Sequence, residues 1–171
     1  MRVSAKADYA LRAAAELAAS GPGPLTRERI AASQSIPMDY LESILLELKH
    51  RGIVQSQRGS SGGFRLARPA AEISLADVIR AVDGPMANVR GSRPEEVEYP
   101  GPAVHLRDVW VAVRASLRDL LESTSVDDLV NGTLPPRMRA LTRQPDAWES
   151  RGRGTGTRRR GPARHTPAAA D

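Results

Sequence analysis

Arg58 and Arg65 bracket the run Gly59, Ser60, Ser61, Gly62 and Gly63. A loop of this composition buries nothing. Two guanidiniums beside two hydroxyls and Gly-rich backbone suit an anion such as a phosphate oxygen. Earlier in the chain, Met38, Asp39, Tyr40, Glu42 and Ser43 stand close together. Presented on one side of a helix, such groups can reach base edges, and a carboxylate there accepts from cytosine N4. The competing reading is a solvated helix face and a flexible loop with no ligand.

Other chemistries find no residues. The chain has no cysteine, which excludes disulfides, thiolate zinc sites, cysteine-ligated iron–sulfur clusters and thiol redox sensing. His50, His105 and His165 are far apart and show no metal-ligand spacing. No nucleophile–base pairing suggests an enzyme. The Gly59 to Gly63 run lacks a following Lys-Ser or Lys-Thr and precedes a strand, so it is not a nucleotide-binding Walker loop.

The elements that must position the two candidate surfaces can be read around them. Leu41, Ile44, Leu45 and Leu48 recur at helical spacing, predicting a helix over 37–51. Lys49, His50 and Arg51 form a basic last turn, and Gly52 stops it. Ile53-Val54 and Phe64-Arg65-Leu66 are β-prone and flank the Gly/Ser loop. Helix followed by a two-stranded ribbon with a basic tip is the shape of a winged helix-turn-helix. Its helix suits the DNA major groove and its wing can set an Arg at the minor groove or a phosphate.

Upstream, 4–19 predicts an Ala-rich helix with a small-residue face of Ala10, Ala13, Ala14, Leu17 and Ala18. Thr26 caps a short helix over 27–33. Downstream, Ser74 and Asp77 resemble a capping box for a helix over 75–82, with Ile73 and Val78 able to staple across it. The segment 84–102 is rich in Gly and Pro and reads as a flexible loop. A long helix over 103–122 carries a wide apolar stripe of Leu106, Val109, Trp110, Val113, Leu117 and Leu120. A second copy of the chain is the economical cover for it, and packing on its own chain is the alternative. Ser125 caps a short helix over 126–130, and from 134 periodicity is lost in a basic tail expected to be disordered.

The fold class expected is therefore mainly α with a small β-wing, in four parts. These are a winged helix-turn-helix domain over 1–83, the loop 84–102, a dimerisation helix with a short final helix over 103–133, and the tail 134–171. Net charge is +5, distributed unevenly. Residues 1–68 carry ten basic and six acidic side chains, 69–141 carry eight and eleven, and 142–171 carry seven and three. Basic ends and an acidic middle suit a module that meets a polyanion with one part and something else with another. Besides Arg58 and Arg65, the cations Arg2, Lys6, Lys49 and Arg51 are candidates for DNA phosphates, with the hydroxyls of Ser60 and Ser61. No apolar run is long enough to span a membrane and no signal peptide is evident, so a cytoplasmic protein is expected.

Taken together, these segments resemble the Rrf-two family of bacterial winged-helix transcription regulators. The resemblance covers about residues 1 to 131. It rests on the opening Met-Arg-Val-Ser-Ala-Lys-Ala-Asp-Tyr-Ala, on Ile36-Pro-Met-Asp-Tyr40-Leu41-Glu42 and on Leu48-Lys-His-Arg-Gly52-Ile-Val. It rests also on Arg58-Gly-Ser-Ser-Gly62-Gly63-Phe64-Arg-Leu66-Ala and on the segment from Ile73-Ser-Leu to Asp83-Gly84-Pro85. It implies a homodimer paired through the long helix and bound to pseudo-palindromic promoter DNA. The third helix would read the major groove, at family positions falling on Pro37, Asp39 and Glu42, and Arg58 would enter the minor groove. Several members hold an iron–sulfur cluster through three cysteines and a His or a first-helix Asp. Asp8 stands at that Asp position, Val104 and Arg107 stand where the last Cys and the His would be, and His105 is off register. The chain resembles the cluster-free members, which implies response to a small molecule, to a protein, or to nothing. The expected function is a sequence-specific DNA-binding regulator, more a repressor than an activator. The alternative is a protein-interaction module that binds an enzyme or another regulator, with DNA binding secondary.

Overall fold

The computed structural model describes residues 2–59 and 62–149. Seven α-helices and two strands follow along the described residues. They are α1 (Ala5–Ala19), α2 (Arg27–Gln34), α3 (Met38–His50), β1 (Val54–Gln57), β2 (Gly63–Leu66), α4 (Leu75–Asp83), α5 (Leu106–Glu122), α6 (Val126–Asn131) and α7 (Pro136–Thr142).

α1 is the element the others pack on. Ser4 opens it, its hydroxyl accepting from the Ala7 N–H at 2.9 Å. Ala7, Ala10, Ala13, Ala14 and Leu17 are buried, and their small size lets α2, α3, α4 and α6 approach closely. α2 and α3 are joined by a sharp turn in which Ser35 takes the left-handed conformation and Ile36 is buried. α3 then buries Leu41, Ile44, Leu45 and Leu48 as its spacing requires.

The wing is an antiparallel pair with Val54 opposite Leu66 at its foot and Gln57 opposite Gly63 at its tip. Leu25 adds a single rung. Its N–H donates to the Phe64 carbonyl at 2.9 Å, and the Phe64 N–H donates back at 2.8 Å. This explains two of the loop glycines. A Cβ on Gly63 would stand 2.3 Å from the Leu25 carbonyl oxygen, and one on Gly62 would stand 2.5 Å from that of Gln57. Flexibility was the reading from sequence; close backbone approach is the structural reason.

α4 and α6 are pinned start to start. The Leu75 N–H donates to the Thr124 carbonyl and the Val126 N–H to that of Ile73, each at 2.9 Å. Both helices open with a capping box, Ser74 with Asp77 and Ser125 with Asp128.

Two stretches differ from their sequence reading. The 84–102 segment carries short 3-10 turns at Pro94–Glu96 and Gly101–Ala103, and Pro94 and Val97 are buried. The first turn lies against α5, where Arg114 pairs with Glu95 at 2.5 Å. Because 101–103 is a 3-10 turn, α5 starts at Leu106 and not at 103. Within 134–171, read as a tail without periodicity, Pro136–Thr142 forms α7. Pro136 stands in its first turn, where a missing N–H costs nothing, and a helix this short shows no period in sequence. The Arg-rich run beyond 150 lies outside the described residues. No helix among the described residues is long and apolar enough to cross a membrane.

Candidate nucleic-acid interface

The outward face of α3 is exposed at every position the sequence singled out: Met38, Asp39, Tyr40, Glu42 and Ser43. Their surroundings differ. Tyr40 meets Tyr9 of α1 edge to face, ring centres 6.0 Å apart, and the Arg12 guanidinium lies 5.4 Å from the Tyr9 ring. The Ser43 hydroxyl donates to the Tyr40 carbonyl at 2.9 Å. Glu42 accepts from the Arg27 guanidinium at the start of α2. Arg27 also donates to Glu28 at 2.8 Å and holds that carboxyl below its ordinary value. The Glu42 carboxylate is thus partly neutralised by a cation the neighbouring helix supplies.

α3 and the wing form the two sides of a groove of about 620 Å³. Glu42, Ser43 and Lys49 line it from α3, Arg27 from α2, and Ser56 with Phe64 from the wing. Lys49 spans the groove's sides, its ammonium donating to the Ser56 hydroxyl at 2.8 Å. Leu46 lines it too and is 54% exposed. Sequence reasoning missed Leu46 and Ser56. Leu46 falls four residues after Glu42 on the outward face, a signal hidden because a leucine reads as core.

The remaining candidates separate. Arg58 and Arg65 are exposed, as is Arg2, and among the described residues none of the three has an ion-pair partner. Lys6 is tied to Glu47 at 2.7 Å, which links α1 to α3. Arg51 is exposed and does not line this groove; it lines a second cleft at the foot of the wing with Ile53 and Arg68. Ser60 and Ser61 lie outside the described residues.

α5 presents the other candidate surface. Leu106, Trp110, Val113, Leu117 and Leu120 are half-buried, Val109 is 51% exposed, and no residue of this helix is buried.

Comparison with known proteins agrees with this geometry. A family model described as "Rrf2: Iron-dependent Transcriptional regulator" matches residues 3–132. The residues here do not fit a cysteine-ligated iron–sulfur cluster. There is no cysteine, and among the described residues no three His, Cys, Asp or Glu side chains converge. Asp8 is bound to Arg12 at 3.2 Å. Rv1287 of Mycobacterium tuberculosis, which carries the name of an HTH-type transcriptional regulator, is 45% identical over 151 residues, 88% of this chain and 94% of that protein. The HTH-type transcriptional regulator CymR of Bacillus subtilis is 34% identical over 78% of this chain and 92% of its own. The solved structure of B. subtilis CymR, the global cysteine regulator, superposes with a TM-score of 0.66 at 32% identity, over 77% of this chain and 98% of that one. IscR of T. potens gives 0.64 at 29% identity, over 78% and 88%. The chain therefore belongs to the Rrf2 (Rrf-two) family, and is a winged-helix, DNA-binding transcriptional regulator and not an enzyme.

Proposed function

We propose that the protein acts as a homodimer that occupies a palindromic promoter site and represses by occlusion. Its reading surface is the groove between α3 and the wing. Met38, Asp39, Tyr40, Glu42 and Ser43 face base edges in the major groove, and Arg58 enters the minor groove. Arg2, Lys6, Lys49, Ser60, Ser61 and Arg65 meet phosphates and fix the register. Leu46 adds an apolar contact of the kind a thymine methyl offers. The observation that supports this most is the shared groove, in which Glu42, Ser43, Leu46 and Lys49 of α3 face Ser56 and Phe64 of the wing. Pairing runs through α5, whose apolar stripe a second copy would cover, giving two reading surfaces for two half-sites. The protein works without a cysteine-ligated cluster and answers to a small molecule or a protein.

The test is footprinting on DNA upstream of its own gene, at physiological salt with excess competitor DNA. A discrete palindromic footprint is expected, and Arg58→Ala should weaken specific binding by roughly 1–3 kcal/mol. Salt-sensitive binding with no footprint, or an Arg58→Ala variant that binds as tightly, would overturn the assignment.

A further inference from the structure

A second cleft, of about 630 Å³, opens at the foot of the wing. Its walls come from four parts of the chain. Arg51, Ile53 and Arg68 belong to the foot of the wing, Asp77 and Arg80 to α4, Arg93 and Glu95 to the segment between α4 and α5, and Arg114, Arg118 and Glu122 to α5. The volume lies in the range that holds small ligands, roughly 300–1,000 Å³.

The charges do not balance. Six arginines face three carboxylates. Every carboxylate is already engaged: Asp77 with Arg68 at 3.4 Å and Arg80 at 3.7 Å, Glu122 with Arg80 and with Arg118 at 3.1 Å, and Glu95 with Arg114 at 2.5 Å. These contacts hold the arginines in place, which lowers the entropic cost of presenting them to a ligand. Arg51 and Arg93 have no ion-pair partner among the described residues, and Asp77 and Glu122 are each shared by two cations. The cleft thus keeps a surplus of three positive charges.

We propose that this cleft binds a small polyanion carrying two or three phosphate or carboxylate groups, met first by Arg51 and Arg93. Arginine forks take such groups in paired hydrogen bonds, which suits both chemistries. A ligand here touches the foot of the wing and α5 together, so its arrival biases the position of one against the other. In making that ligand an effector the proposal rests on the regulator reading above; the binding itself does not.

The experiment is calorimetric titration of the full chain, without DNA and at constant ionic strength, with inorganic pyrophosphate and separately with citrate. Saturable binding of at least one of them, one per chain, is expected, and the stronger of the two identifies phosphate or carboxylate as the preferred group. The double variant Arg51→Ala/Arg93→Ala should bind roughly tenfold or more weakly. Both side chains are exposed and unpaired, so the fold is kept, which circular dichroism checks. Arg90→Ala is the control. Arg90 lies 5.8 Å from the Tyr99 ring on the same segment, does not line the cleft, and its variant should bind as the original does. No saturable binding of either anion, or a double variant that binds undiminished, overturns the proposal. Because DNA is absent, neither result depends on whether an operator exists.

Discussion

α3 buries Leu41, Ile44, Leu45 and Leu48, whereas α5, with 17 residues against 13, buries none of its apolar stripe. Both helices show the same kind of spacing. The difference lies in what surrounds them. α3 sits among α1, α2, α4 and the wing, so it packs against four elements of its own chain. α5 meets α4 and the Pro94–Glu96 turn on one side, and its stripe is wider than that contact. An amphipathic pattern states that a face must leave water. It does not state whether the cover comes from the same chain or from another.

The comparison can be broken first on the α3 side. Leu45→Ala removes a side chain that is 1% exposed, and should lower stability by about 2–5 kcal/mol, read from denaturant unfolding. A loss below about 1 kcal/mol would mean that the α3 core is looser than its burial implies. On the α5 side, Val109→Asp should do the reverse. Val109 is 51% exposed within the chain, so the fold itself should change by less than about 1 kcal/mol. An Asp in a paired stripe would bury an uncompensated charge, so the molecular mass by sedimentation should halve. If the mass is unchanged while the fold is lost, the stripe packs on its own chain and the contrast between the helices disappears.

The same contrast marks how far the sequence could be read. Helix positions in the first half came from local signals: the Ala-rich run of α1, Thr26 as a cap, the α3 spacing, Gly52 as a stop. The capping box at Ser74 and the cap at Ser125 were equally local and equally legible. What was not legible depended on distant partners. Gly63 needed the Leu25 carbonyl, and Glu42 needed Arg27, fifteen residues away in sequence. The Gly/Pro run at 84–102 read as a free loop because Pro94 and Val97 are buried by α5, which no neighbouring residue announces. The arginine cleft was invisible for the same reason, since its cations are scattered from Arg51 to Arg118. Short of contact between elements, a cation in a sequence has no address: Lys49 and Arg51, two residues apart, line different clefts.

The smallest of the expected effects concerns the point where the two regions meet. Ser125 opens α6, three residues after α5 ends at Glu122, beside the strand-like pairing of Val126 with Ile73. Its hydroxyl accepts from the Asp128 N–H at 3.0 Å and donates to the Asp128 carboxylate at 2.6 Å. That hydroxyl bond first, then the Ser125 backbone N–H and Thr133, hold the Asp128 carboxyl below its ordinary value of 3.8. A carboxyl whose folded value is depressed stabilises the fold above its unfolded value and loses that contribution as pH falls through the folded one. Ser125→Ala should therefore lower Tm by a few degrees at neutral pH, and the gap between the two proteins should narrow once pH is taken below 3.8. Because the core half holds Ile73 and Val126 independently of this cap, the variant should loosen α6 and the end of α5 while α3 stays protected in hydrogen exchange. Equal loss of protection in α3 and α5 would mean that the two regions unfold as one, and that the difference between them is one of exposure and not of independence.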